Sequence, residues 1–385
     1  PEGQLLSSTD PQGRSTTHSY DPLGRRIQSR DPLGGLLATT YDSQDQPLSI
    51  TDPRGLSTHA DPNVWGEVQR LDSPDTRSST SSYDSAGNPL QQIDARGVSS
   101  TRRFDALNRP LSQQTPATAV TYSYDRGTNG KGLLTSLQDS SGTQSYTYSK
   151  RRQITQHTIT LNGLAPLTLG YGYGKGGRLS RISYPSGRTA TWHYRADGTL
   201  SQLRTTYAGS TQTLLKTTWS PTGQPERLTY GNGLVERRSY DLAGQLTQLH
   251  RNALGKLDYR YDTVGNITQI GTQTYAYDTL DRLTQAPSRS YAYDANGNRT
   301  QDSGQSYVLA PDSNRLHQGA GRVYDYDANG NPMSDGRYSY TYDSQNRLTE
   351  VQQGATVQVR STYNALGQRV RKETAAGTTH YLYST

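Results

Sequence analysis

The sequence has no cysteine, which excludes disulfides, thiolate metal sites and thiol nucleophiles. It has a single Phe, a single Met and only 30% hydrophobic residues. Its mean hydropathy of -0.89 is too polar for the conventional cores that 385 residues would ordinarily fill. No run approaches the ~18 apolar residues of a membrane span, and the opening PEGQLLSSTD lacks the charged and apolar regions of a secretory leader. Met333 is the only methionine, so the chain is expected to begin inside a longer gene product.

A concentrated charge is also missing. The net +7 arises from 40 basic and 33 acidic residues that are interspersed. Arginines recur singly after turns, as at Arg178, Arg282, Arg299 and Arg347, rather than in the clusters a nucleic-acid surface needs. The seven histidines, His18, His59, His157, His193, His250, His317 and His380, show no metal-ligand spacing and read as ordinary surface or wall residues. No metal, cofactor or nucleic acid is expected.

What is abundant is tyrosine (29) and glycine (38). They recur in register, as in YDPLGRRI, YDSAGNPL, YDLAGQLT, YDTLDRLT and YDSQNRLT. Nineteen such units can be aligned on the residue before the turn, with Ala60 and Tyr307 as degenerate members; spacings cluster near about 20 and about 16 residues. The candidate structural positions are Tyr20, Asp21 and Gly24; Tyr41 and Asp42; Tyr83, Asp84 and Gly87; Tyr240, Asp241 and Gly244; and Tyr261, Asp262 and Gly265. Further along they are Tyr277 and Asp278; Tyr293, Asp294 and Gly297; Tyr326, Asp327 and Gly330; and Tyr342 and Asp343.

Aspartate can accept from backbone amides ahead of it, and Gly or Asn tolerates positive φ, so each Asp-x-x-Gly stretch predicts a hairpin turn. The stretch DANGN, written at 294–298 and again at 327–331, reads as one turn of many. Tyrosines at i and i+2, such as Tyr146/Tyr148, Tyr171/Tyr173 and Tyr259/Tyr261, would line one face of a strand. Their hydroxyls are expected to face water. No 3.6-residue pattern competes, so helix content should be near zero. Nineteen units of about two strands make a ribbon on the order of 180 Å long at ~4.8 Å per strand, which strand twist should wind into a spiral or curved wall.

Repeated YDxxGR and YDxxGN units over essentially the whole chain resemble the Rhs or YD-repeat family, found in bacterial polymorphic toxins, insecticidal toxin complexes and teneurins. The resemblance implies an all-β, long antiparallel hairpin strip spiralling into a hollow shell, with residues 1–385 a single incomplete segment of it. It also implies that the wall encloses the protein's own C-terminal toxin as cargo, with secretion-system spike or chaperone partners. Membrane contact would come only through the delivery machinery. Secretion or delivery from a bacterial cell, often by type VI secretion, would follow. The paired Asp-Pro core end that closes many members, where aspartates perform self-cleavage, is not visible after HYLYST, so no enzymatic activity is expected of this segment.

Sharper motifs compete poorly with the repeat. The Asp-Pro-Leu-Gly stretches at Asp21 and Asp31 could supply a proton-sharing carboxylate pair. However, Asp10-Pro, Asp52-Pro and Asp61-Pro repeat the device. Asp325, Asp327, Asn329 and Gly330 match the start of a calcium loop, but Gly336 stands where a bidentate Glu is needed. Gly172, Gly174 and Gly177 form a lone G-x-G-x-x-G in register with the turns. Asn266 and Asn298 begin formal glycosylation sequons that matter only in a eukaryotic secretory route. The competing functional expectation is a carbohydrate- or protein-binding adhesion surface built on the same tyrosines.

Overall fold

The computed structural model describes residues 3–384 and is all-β, with forty strands among them in sheets of 26, 7 and 7 strands. The one helical element among the described residues is a single 3-10 turn, Lys175–Gly177, which falls inside a repeat turn. The strands are short and the great majority pair antiparallel with their sequence neighbours, as a run of turn signals every ten or so residues dictates.

The hairpin around Asp21 shows why the sequence folds this way. Ser15–Tyr20 pairs with Arg26–Arg30, and the register shifts between Ser19 and Tyr20. Across the turn the Gly24 amide donates to the Asp21 carbonyl (2.9 Å), and the Asp21 amide donates to the Arg25 carbonyl (3.0 Å). Gly24 sits at φ 81°. This is a four-residue turn closed by a left-handed residue that makes a bulge. Asp21 Oδ1 accepts from the Leu23 and Arg25 amides (both 3.0 Å), and Oδ2 accepts from Arg25 Nε (2.7 Å). The motif aspartate thus satisfies the amides that the turn strips from the ladder. Asp45, Asn108, Asp281 and Asn346 replace glycine at the left-handed position with φ near 60°, which short polar side chains tolerate.

Turns alternate between the two edges of each strip. Those at Asp21, Asp42, Asn63, Asp84 and Asp105 follow one edge, and those at Asp10, Asp31, Asp52 and Asp94 follow the other. The shorter spacing has a simple origin. Where units are about 16 residues long, the second edge is closed by two residues, as at Ser303-Gly304 between the paired Asp302 and Gln305.

Three sequence expectations change. The unit assigned to Ala60 turns at Asn63, whose carbonyl accepts from Gly66 (2.9 Å), so Asp61-Pro62 belongs to the strand Ser57–Pro62. The unit assigned to Tyr307 turns at Ala310, placing Leu309 in the aromatic position. Most of the motif tyrosine hydroxyls donate to backbone carbonyls. Tyr41, Tyr83, Tyr240, Tyr261, Tyr293 and Tyr326 donate to the carbonyls of Arg26, Val68, Pro225, Leu246, Leu283 and Leu316, at 2.7–3.1 Å. Each acceptor is the first strand residue after the preceding turn on that edge. Trp219 does the same through Nε1 to Leu200 (2.7 Å).

The chain forms two compact units, one from the residues up to Thr121 with Tyr275–Tyr381, the other from Tyr122–Thr274 with the C-terminal residues from Leu382. In the second unit, Leu169, Tyr171 and Ile182 form a buried cluster against Ile154, Tyr173, Leu179, Tyr184, Trp192 and Leu382. Most fully buried apolar side chains lie between Val120 and Ile182. Elsewhere one-sided, half-buried strands prevail.

Candidate functional site: a seam of paired turns

In the first unit, the edge carrying Asp10, Asp52 and Asp94 lies against the turns of the run that begins at Tyr275. Arg14, which holds its own Asp10, also reaches both carboxylate oxygens of Asp281 (3.0 and 3.1 Å). Thr115 and Ser344 share a hydroxyl hydrogen bond of 2.8 Å. Between these points two groups of turns meet in the same manner.

In the first group, Asn296 donates Nδ2 to Asp52 Oδ2, while Arg54 Nε lies 3.4 Å from Asp294 Oδ2. Arg54 also donates to the carbonyls of Ala310 (3.0 Å) and Ser313 (2.6 Å) in the following turn. Asn296 and Asn298 both donate to Asn314 Oδ1, at 2.9 and 3.0 Å. In the second group, Asn329 donates Nδ2 to Asp94 Oδ2 (2.5 Å), and Arg96 Nη1 lies 3.6 Å from Asp327 Oδ2. Arg96 donates to the Asp343 carbonyl (3.2 Å), and Asn329 and Asn331 both donate to Asn346 Oδ1 (2.9 and 2.8 Å). DANGN is therefore a specialised turn, because both of its asparagines and its aspartate are used at the seam.

The electrostatics suit charged carboxylates there. Burial pushes the Asp52 carboxyl up, but the Asn314 amide, the Leu56 backbone amide and Asn296 outweigh it and hold it below the usual value. Burial likewise acts against Asp94, and the Val98 amide, Arg96 and Asn329 bring it down. Ser313 is fully buried at the centre of the seam.

The tyrosines, aspartates and glycines named from the sequence all lie at turns, but only Asp278, Asp294, Asp327 and Asp343 and their turns lie along the seam. Tyr20, Asp21, Gly24, Tyr41, Asp42, Tyr83, Asp84 and Gly87 lie on the opposite edge. Asp21 and Asp31 stand at opposite ends of the strand Arg26–Arg30, so the structure does not bring that carboxylate pair together. In the calcium-loop stretch, Asp327 accepts from the Asn331 amide and Asn329 is spent on Asp94, and among the described residues no group of acidic or histidine side chains is placed to hold a metal. Of the two sequon residues, Asn266 bonds Asp262, and Asn298 bonds Asp294 and Asn314. Gly174 opens an ordinary turn, accepting from Gly177.

Sequence reasoning missed Asp52, Arg54, Asp94 and Arg96. The available signal was that Asp-x-Arg-Gly and Asp-Ala-Asn-Gly-Asn each occur twice. It also misplaced His157, which is 1% exposed, stacked on Tyr146 (4.7 Å between ring centroids) and bonded through Nε2 to Gln144 (2.8 Å). Glu236, equally buried, is held by Arg238 (2.6 Å) and Arg251 (2.7 Å). The edge opposite the seam instead exposes apolar turn tips, Leu23, Trp65 and Leu107, with a groove beside Trp65 lined by Glu67, Asp84 and Ala86.

Comparison with known proteins agrees with this anatomy. The RHS Repeat family matches residues 1–36 and 83–120, and the Teneurin YD-shell family matches residues 271–385. A probable deoxyribonuclease RhsA of Dickeya dadantii (strain 3937) is 31% identical over 119 residues, 29% of this chain and 7% of that protein. The crystal structure of TcdB2-TccC3 superposes with a TM-score of 0.71 at 19% identity, over 94% of this chain and 26% of that one. The Photorhabdus luminescens Tc holotoxin pore gives the same values. This chain thus spans about a quarter of the solved chains it resembles. The chain carries RHS/YD repeats over residues 1–36, 83–120 and 271–385, similar to the RHS Repeat and Teneurin YD-shell families, and its all-β fold across 94% of its length is that of the TcdB2-TccC3 structure.

Proposed function

We propose that this chain is wall: a stretch of YD hairpins that encloses a toxic C-terminal polypeptide of the same gene product and keeps it from its producer until delivery. The observation that carries the reading is the likeness in fold, across 94% of the chain, to the TcdB2-TccC3 structures. The mechanism is steric. Tyrosine-to-carbonyl bonds, Asp-centred turns and the seam hold the strip together, and no side chain performs chemistry. Export from a bacterial cell, with a spike or chaperone as partner, type VI secretion as one route and competition between bacteria as its use, belongs to the same proposal.

The test is limited proteolysis, with electron cryo-microscopy, of the gene product that carries this chain. Enclosed density and a protease-resistant C-terminal polypeptide, made sensitive by deleting Tyr122–Thr274, is the expected result. An open, empty sheet with no protected polypeptide would count against enclosure. One feature favours a second reading, a surface that binds a sugar or a partner protein: Trp65 is 81% exposed beside its groove. Saturable glycan binding that is lost in Trp65→Ala would move the assignment to that reading.

A further inference from the structure

The two turn groups of the seam share one cross-seam exchange, although Arg54 reaches on to Ser313 and Asn314 whereas Arg96 also holds its own Asp94, and they differ at the residue that follows the edge aspartate. In the second group the Ala95 amide donates to Asn329 Oδ1 (3.0 Å), so Asn329 grips both the carboxylate and the backbone of the opposing turn. In the first group Pro53 stands where Ala95 stands, and proline has no amide hydrogen. The matching atom, Asn296 Oδ1, is buried and has no partner among the described residues. The rest of the exchange survives: aspartate to asparagine in one direction, arginine to aspartate in the other, and arginine to the first carbonyl of the next turn.

We propose that Asp-x-Arg-Gly and Asp-Ala-Asn-Gly-Asn are complementary halves of a docking code, in which each Asp-x-Arg-Gly turn selects one Asp-Ala-Asn-Gly-Asn turn. Two such pairs fix which hairpin lies against which along the seam. Direction is encoded because the halves differ: a carboxylate faces an amide donor on one side, and a guanidinium faces a carboxylate and a carbonyl on the other. A generic turn does not fit. Asp31-Pro-Leu-Gly-Gly carries Leu33 where the code requires arginine, and Asp84-Ser-Ala-Gly carries Ala86. A strip slipped by one hairpin would therefore bury Asp52 or Asp94 opposite a side chain that cannot donate, and separate Arg54 from Asp294 or Arg96 from Asp327, leaving Arg96 only its own Asp94. The inference concerns how the wall closes on itself and is independent of what the wall contains.

The absence of cysteine gives a clean test in the full chain. In Thr115→Cys/Ser344→Cys, a disulfide reports the seam in its native register. Its initial rate of formation is expected to fall at least ~5-fold when Arg54, Asn296, Arg96 and Asn329 are all changed to alanine, and less than ~2-fold when Arg25 and Asn88, on the opposite edge, are changed instead. A second measurement cannot be mimicked by misfolding. Pro53→Ala supplies the missing donor, so the new residue 53 amide should be protected from hydrogen exchange, like that of Ala95. That protection should drop at least ~10-fold in Pro53→Ala/Asn296→Ala, as the Ala95 amide does in Asn329→Ala. Exchange at residue 53 that is indifferent to Asn296, or a disulfide rate indifferent to the four alanines, would overturn the code.

Discussion

The hydroxyl of Tyr363 donates to the carbonyl of Leu348 at 2.9 Å, reaching back one whole repeat. The bond ties the residue before one turn to the residue after the previous turn on the same edge, and Arg347 lies over the same ring at 5.2 Å. The repeat is therefore stitched along its edge as well as laddered across its strands.

Removing these hydroxyls one at a time should be nearly additive, since the sites are far apart. Tyr41→Phe, Tyr83→Phe, Tyr240→Phe and Tyr363→Phe are each expected to lower stability by about 1 kcal/mol, the usual net worth of one such bond. The quadruple variant should then lose about 4 kcal/mol in urea unfolding. A combined loss under ~1 kcal/mol would mean that water serves the carbonyls equally well.

The seam should weaken in acid. Asp52 and Asp94 ionise below their unfolded value when folded, so the stability they contribute is complete above the unfolded value of ~3.9 and is lost as pH falls through the lower folded one. Unfolding midpoints between pH 7 and pH 2.5 should drop steeply at the acid end. Asp94→Asn should be less stable at pH 7, by ~1–3 kcal/mol because the bonds it breaks are charge-assisted, and should show a shallower acid limb. An unchanged acid limb would assign the loss to other carboxylates.

How much of this was legible follows from the range of the interactions involved. Asp21 and Gly24 were readable because a turn is decided within five residues, and the alternating tyrosines because strand periodicity is local. Asp61-Pro62 misled because an Asp-Pro pair usually opens a turn, whereas here Asn63 and Gly66 supply the better-placed amide acceptor and left-handed residue. The pairing of Arg54 with Asp294 joins residues on separate runs of the chain, and no local rule connects them. The burial of His157 was equally hidden. A histidine in an alternating polar strand has the same pattern on either face, and only the packed cluster around it determines which face is dry.

Glu236 offers a sharper packing test. Burial raises its carboxyl, but Arg251 and Arg238 bring it below the usual value, so it is charged at neutral pH. Glu236→Gln would leave two arginines near a buried amide. Because both are partly exposed, 30% and 38%, they can recover water. The expected cost is therefore about 2–3 kcal/mol, at or below the lower end for breaking a buried pair. A neutral result by chemical denaturation would show that solvent reaches the triad.

His157 makes the most distinctive prediction because its sign is opposite to that of a surface histidine gaining an acidic partner. Burial lowers its pKa from 6.5 to about 4, and its ring rests on Tyr146 with Gln144 at Nε2. Tyr146, pushed up to about 12 chiefly by burial, stays neutral beside it. Between pH ~6.5 and ~4 the unfolded chain binds a proton at this position and the folded chain does not, so stability must decline as pH falls through that window. Below it both states are protonated and the contribution levels off. His157→Phe keeps a ring against Tyr146 and removes the titration. Unfolding midpoints at pH 7, 6, 5 and 4.5 should therefore fall for the natural chain and stay flatter for the variant, with the gap between the two curves constant above pH ~6.5 and changing only below it. Parallel curves would mean that the His157 ring is reached by water and titrates alike in both states.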